Sequence, residues 1–131
     1  MIRVLADTSI WIDFLNNKDS PQTRLFEHHL SNSRICSCPP VVQEVLQGIR
    51  LDEKYHEIKS LLLTLEIFVA DPLQAAVESA EIYRLLRKNG VTIRKPNDCL
   101  IAWYAIKNKT GLLHNDSDFD LIARHTKIEL L

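Results

Sequence analysis

The chain is poor in the residues that build stapled or low-complexity proteins: its 131 residues include only three cysteines, three glycines and five prolines. An odd number of cysteines excludes a self-contained disulfide framework. Cys36 and Cys38 alternate within one apparent strand and Cys99 lies far from both. No second ligand pair stands at zinc-site spacing, so the three read as buried, reduced thiols packed as small hydrophobes. Scarce glycine leaves no Gly-rich loop of the kind that cradles nucleotide phosphates. No segment repeats. No apolar run is long enough to span a bilayer, and the apolar opening from Met1 to Leu15 is interrupted by Asp7 and Asp13, unlike a secretory leader. The expectation is a soluble, cytoplasmic protein with no membrane partner. An excess of one charge is also missing. With a formal net charge of −1, the chain can meet nucleic acid only through a local basic patch.

What is present is an ordinary globular balance, 46% hydrophobic and 25% charged, in a length that suits one domain over residues 1–131. Ile2 to Ala6 reads as a buried strand, followed at once by Asp7-Thr8-Ser9, all good helix caps. The helix from Ser9 to Leu15 is apolar nearly all round, so it is buried or meets a partner. Ser20-Pro21 starts a second helix, running to Leu30. Arg34 to Cys38 reads as a strand stopped by Pro39-Pro40. Helices follow over Val41–Ile49 and Asp52–Leu65, then a short strand over Ile67–Ala70. Apolar residues at helical spacing predict a helix over Leu73–Lys88, ended by Asn89-Gly90. Pro96-Asn97-Asp98 opens another, reaching Asn108. Gly111–His114 is a strand leading into the polar turn Asn115-Asp116-Ser117-Asp118. A short helix from Phe119 and a terminal strand over Ile128–Leu131 complete the chain. Strands alternating with helices predict an α/β fold: a central parallel sheet with helices on both faces.

In such sheets, sites form beyond the carboxyl ends of the strands. Asp7 and Asp116 fall at two such ends, Asp98 at a helix start and Glu44 within the first turn or so of another helix. Singly, each acid has a plain structural reading: Asp7 and Asp98 as caps, Glu44 as a solvated helix acid, Asp116 as a turn former. Together they form a candidate cluster whose mutual repulsion is relieved by a cation. Carboxylate oxygens suit hard ions, Mg²⁺ or Mn²⁺. Such an ion activates water and neutralises charge growing on a phosphate, which is the chemistry of phosphodiester hydrolysis. The run Asp116-x-Asp118-x-Asp120 also resembles the start of an EF-hand loop. Leu121 and Lys127 stand where that loop needs Gly and Glu, so the reading fails. Asp118 is a candidate to help hold the metal or orient its water, while Asp120 reads as a cap or a solvated acid.

The stretch from Arg84 to Lys109 is locally basic, holding Arg84, Arg87, Lys88, Arg94, Lys95, Lys107 and Lys109 against the single acid Asp98. A basic rim around an acidic centre is what a phosphate chain needs. Arg94 and Lys95 lie nearest in sequence to Asp98 and are the leading candidates for contacts with a nucleic-acid backbone, with Arg87 and Lys88 behind them. The plain reading is a solvated helix face.

Asp7-Thr8-Ser9 after the first strand, Glu44 in Gln-Glu-Val-Leu-Gln-Gly, Asp98 in Asn-Asp-Cys-Leu-Ile-Ala and Asp116 in Asn-Asp-Ser-Asp-Phe together resemble the PIN-domain nucleases, and more narrowly the VapC-type toxins of toxin–antitoxin pairs. The resemblance covers the whole chain. It implies a three-layer sandwich with a central parallel sheet, an Mg²⁺- or Mn²⁺-dependent endoribonuclease, a cognate antitoxin and a homodimer. By position it makes Asp7, Glu44, Asp98 and Asp116 the acidic quartet, with Asp118 as a common extra ligand. It places Thr8, Ser9 and Asn115 in support of these acids. His114 departs from the pattern, since many relatives carry a small hydroxyl residue there. Trp11, Phe14 and Leu15 become candidates for the surface on which an antitoxin helix docks; the alternative is that they finish the core or a dimer contact. Three rivals remain. One is a phosphatase using Asp7 as nucleophile, against which Ser9 stands where a second Asp is wanted. The second is a non-toxin PIN nuclease of RNA processing, or one acting on DNA. The third is a non-enzymatic module that binds RNA or protein.

Overall fold

A computed structural model describes residues 2–131. Its centre is a four-stranded, wholly parallel sheet in the order β3-β2-β1-β4. The strands are β1 (Val4–Ala6), β2 (Ile35–Ser37), β3 (Glu66–Ile67) and β4 (Gly111–Leu113). Val4, Leu5 and Ala6 are fully buried. A parallel strand covered on both faces reads as a continuous apolar run rather than an alternating one. The register pairs Leu5 with Cys36 on one side and with Leu112 on the other.

Seven helices flank this sheet among the described residues: α1 (Thr8–Leu15), α2 (Pro21–Ser31), α3 (Pro39–Gln47), α4 (Asp52–Thr64), α5 (Pro72–Lys88), α6 (Pro96–Lys107) and α7 (Ser117–Ala123). Their starts follow local chemistry. Ser20 and Thr23 form a reciprocal capping box on α2. The Asp71 carboxylate accepts from the N–H groups of Leu73 and Gln74 at the head of α5. Pro21, Pro39, Pro72 and Pro96 each stand at a helix's first position, where the missing N–H costs nothing.

The predicted α/β layering is therefore present, with local differences. Pro39-Pro40 does not separate β2 from a helix beginning at Val41; it is the first turn of α3. Glu44 is consequently in the second turn. The third strand pairs through Glu66–Ile67 rather than Ile67–Ala70. The terminal strand is reduced to a single parallel bridge between Leu112 and Leu130, held by Leu112 N–H to Glu129 O at 2.8 Å and Leu131 N–H to Leu112 O at 2.9 Å. A Cβ at Gly111 would stand 3.0 Å from the Leu131 side chain, so glycine there permits the close approach.

One correction falls on α1. Trp11 is fully buried, edge-on to Phe26 with ring centroids 4.9 Å apart, and Phe14 completes the cluster at 5.0 Å from Phe26. These rings fasten α1 to α2. Trp11 is thus a core residue and no surface anchor, because the first helix is short and must bury its largest ring to hold its place. Ile12, 45% exposed, is the apolar side chain that α1 turns to solvent. The three cysteines are buried and unbridged, as the sequence predicts. Burial pushes their thiols up to about 11, 12 and 11 for Cys36, Cys38 and Cys99, so none is a ready nucleophile.

Candidate metal centre

The strand order fixes where a site can form. The chain steps outward from β1 to β2 to β3, then returns to place β4 on the other side of β1. The carboxyl ends of β1 and β4 thus flank the point where the order reverses, where open α/β sheets leave a crevice. Asp7 is the first residue beyond β1, and its N–H still bonds Leu113 O of β4 at 3.0 Å. Asp116 lies three residues beyond β4 and caps α7 by accepting from the Asp118 N–H at 3.0 Å.

Asp98, Asp116 and Asp118 each offer a carboxylate oxygen, and these oxygens lie within 4.8 Å of one another. Asp98 and Asp118 are buried. Asp98 is the third residue of α6 and no cap; Lys95 occupies the cap position and offers no side-chain cap bond. The head of a helix favours an anion, yet Asp98 is pushed up to about 7. Burial is the main cause, followed by the neighbouring Asp116; Lys95 opposes the rise, while Asp7 and Asp118 add to it. Asp98 Oδ2 is buried with no hydrogen-bond partner. A buried, unpaired carboxylate oxygen on a residue clustered with two further carboxylates costs free energy that a cation recovers. The donors are all carboxylates, the set that hard divalent ions take and that zinc sites rarely use alone. The residues fit such an ion.

Asp7 stands beside this trio. It is 3% exposed, and burial raises its pKa to about 6 against the opposing bonds from Ser9 and Ile10. The Ser9 hydroxyl donates to Asp7 Oδ1 at 2.8 Å, and the Ile10 N–H donates to the same oxygen at 3.3 Å. Asp7 is thus both a helix cap and a member of the acidic group. Glu44 is tied in through Thr8, whose hydroxyl donates to Glu44 Oε1 at 2.6 Å. Asn115 donates its N–H to Ser9 Oγ at 3.1 Å and its side-chain amide to Asp13 Oδ2 at 3.0 Å. Asp13 therefore supports the site as well, a role signalled in the sequence only by its being the one charged residue between Ile10 and Leu15.

Arg94 and Lys95 meet the acids directly. Arg94 Nε is 3.4 Å from Asp118 Oδ2 and Nη2 is 3.7 Å from Asp116 Oδ1; Lys95 Nζ is 3.5 Å from Asp116 Oδ2. Both side chains remain mostly exposed, at 71% and 59%. Arg87 and Lys88 sit in the last turn of α5, where Arg87 lies over the Tyr83 ring at 5.8 Å. Neither makes an ion pair with the acids among the described residues. A cavity of about 710 Å³ between α5 and Trp103 is lined by none of Asp7, Glu44, Asp98, Asp116 and Asp118. Its walls mix apolar side chains such as Leu73, Val77 and Trp103 with the acids Asp71, Glu78 and Glu81.

A parallel sheet with acids gathered at its reversal point defines a class of protein. A family model for the PIN domain matches residues 4–125, and the chain belongs to the PIN domain family. Within it, the chain stands among the VapC ribonucleases: VapC ribonuclease Mb1587 of Mycobacterium bovis and ribonuclease VapC11 of Mycobacterium tuberculosis are each 34% identical over 128 residues, 96% of either chain. The fold is shared with the solved DNA-bound VapBC from Salmonella typhimurium and with VapBC2 from Rickettsia felis bound to a promoter DNA fragment. Each aligns at a TM-score of 0.76 and 23% identity over 100% of this chain and 98% of the other.

Proposed function

We propose that the chain is a Mg²⁺- or Mn²⁺-dependent endoribonuclease acting as the toxin of a toxin–antitoxin pair, with Asp7, Asp98, Asp116 and Asp118 holding the ion. The observation that carries this reading is the trio of carboxylate oxygens within 4.8 Å of one another, one of whose members has a buried oxygen without a partner. A bound divalent ion supplies charge neutralisation at the phosphate and makes nearby water more acidic. The chain's residues supply the rest. Ser9 and Ile10 fix the direction of the Asp7 carboxylate. Glu44 holds Thr8, and through it the backbone beside Asp7. Arg94 and Lys95, mostly exposed beside the acids, bind the phosphates flanking the scissile bond. Arg87 and Lys88 extend that basic rim.

The inhibitor on this reading is a small antitoxin. Leu15 lines an open groove of about 320 Å³ with Ile12, Val45, Ile49 and Leu51, and Phe14 stands half-buried nearby; these suit the apolar face of a partner helix. A homodimer is part of the same reading, and the exposed Leu73, Val77 and Leu85 of α5 offer it an apolar face. The protein works in the cytoplasm, where its RNA and antitoxin are; no described helix is long and apolar enough to cross a membrane.

The test is cleavage of total tRNA and of a generic single-stranded RNA by purified protein, with Mg²⁺, with Mn²⁺ and with EDTA, beside Asp7→Asn. Cleavage that needs both metal and Asp7 is expected. Full cleavage by the folded variant, or cleavage undiminished in EDTA, overturns the assignment. No cleavage together with no calorimetric metal binding puts the non-enzymatic binding module in its place.

A further inference from the structure

The turn that carries Asp116 from β4 into α7 leaves backbone N–H groups that neither strand nor helix can pair, and buried N–H groups need partners. Side chains take them in sequence. Asn115 N–H goes to Ser9 Oγ at 3.1 Å, Asp116 N–H to His114 Nδ1 at 3.2 Å and Asp118 N–H to Asp116 Oδ1 at 3.0 Å. Ser9 and Asp116 belong to the acidic centre already described. His114 lies close enough to Asp7 to act on its carboxyl, and its ring is the one member of this series without an assigned role in the site.

We propose that His114 is a positioning residue for the metal-holding carboxylates, acting through the backbone N–H of Asp116. The proposal rests on the metal-centre reading above. The imidazole is only 10% exposed and packs against Phe119, with ring centroids 5.4 Å apart. Phe119 is fully buried, so the ring cannot swing away without opening the core. Its Nδ1 is therefore a fixed acceptor. Accepting there leaves the ring proton on Nε2, which faces Asp120 Oδ1 at 3.8 Å. A fixed acceptor at the Asp116 N–H sets the plane of that peptide, and with it the direction in which the Asp116 side chain leaves the backbone. Asp116 Oδ1 in turn caps Asp118, so one imidazole nitrogen orients two of the three clustered carboxylates. A small hydroxyl can bond the N–H two residues on from its own backbone position. Histidine makes the same bond from a longer arm that is also locked into the core.

Two crossed substitutions separate the acceptor from the packing. His114→Asn keeps an acceptor oxygen near the place of Nδ1 and gives up the ring. His114→Phe keeps the ring against Phe119 and gives up the acceptor. Each is stripped of metal with EDTA, dialysed and titrated with Mn²⁺ by calorimetry, and its melting temperature is read with and without Mn²⁺. Partners that orient metal ligands are worth roughly 10- to 100-fold in metal affinity. His114→Phe is expected to lose Mn²⁺ affinity in that range and most of its Mn²⁺-induced rise in melting temperature. His114→Asn is expected to stay within about threefold of the wild type, an allowance small beside that range, even if its metal-free melting temperature falls. His114→Met fills the space without an acceptor and repeats the test should the Phe variant not fold. Wild-type affinity in the Phe or Met variant overturns the proposal, as does an Asn variant that binds as weakly as Phe. A wild-type protein that binds no Mn²⁺ overturns the metal-centre reading itself, a result distinct from either.

Discussion

At the scale of single residues, Asp98 shows how the centre stores its tension. Its carboxyl is pushed from the ordinary 3.8 up to about 7, first by burial and then by Asp116. Asp7, raised to about 6 by burial, adds to the same trend. A raised carboxyl pKa means that the folded chain holds the proton more tightly than the unfolded chain. Stability from this source is complete below about pH 4 and drains away as pH rises toward 7. Asp98→Asn removes the group that drains it. In EDTA, the variant should match the wild type near pH 4 and exceed it by about 1–3 kcal/mol above pH 7, while RNA cleavage is abolished. Thermal melts at a series of pH values check the sign. A variant no more stable than the wild type at pH 8 contradicts it. The same two carboxyls must shed protons to take a metal, so metal affinity should climb over the interval in which metal-free stability falls.

At the scale of elements, α1 shows how one apolar run divides its labour. Ile10 and Trp11 are fully buried; Trp11 meets Phe14 and Phe26 edge to face, and Phe14 tilts against Phe26. Ser9 and Asp13, on the polar side of the helix, reach across to Asn115. The helix is therefore a bolt between the α2 packing and the β4–α7 turn. Trp11→Ala should destabilise the fold by about 3–5 kcal/mol, as expected for a large aromatic removed from a packed core. Denaturant unfolding at equilibrium is the measure. A cost below about 1 kcal/mol, the level of an ordinary exposed site, would show that the ring is not the anchor its burial implies. The one discount is the indole N–H, which is buried without a partner, so part of the burial gain is already offset in the wild type.

At the scale of the whole molecule, charge is organised rather than abundant. The net charge is −1, yet Arg94 and Lys95 stand at the mouth of an acidic crevice. Long-range attraction of a phosphate chain cannot come from net charge; it comes from this local pair and the basic residues around it. In an Asp7→Asn background that binds RNA without cutting it, Arg94→Gln with Lys95→Gln should weaken binding of single-stranded RNA. The slope of log affinity against log salt should flatten by about 1–1.5, the loss of two phosphate contacts at roughly 0.7 each. Filter binding at several salt concentrations reads the slope, and an unchanged slope removes the pair from the RNA path.

The sequence by itself determined the alternation of strands and helices, because hydrophobic periodicity, proline at helix starts and caps such as Ser20 and Asp71 act over a few residues. It also determined that Asp7 and Asp116 fall beyond strand ends and Asp98 at a helix start, since those are local positions, while it set Glu44 a turn too early. What it left open was set by packing over long separations. Asp118, an accessory in the sequence, is brought level with Asp98 and Asp116 only when α6 and the β4–α7 turn meet. Trp11 and Leu15 look alike along one apolar helix, and only the position of Phe26 on α2 decides which is core and which is groove. His114 looks like a departure from a pattern until its ring is seen between Phe119 and the Asp116 N–H. Local chemistry names the candidate residues, but the direction in which a side chain points depends on partners that the chain supplies from dozens of residues away.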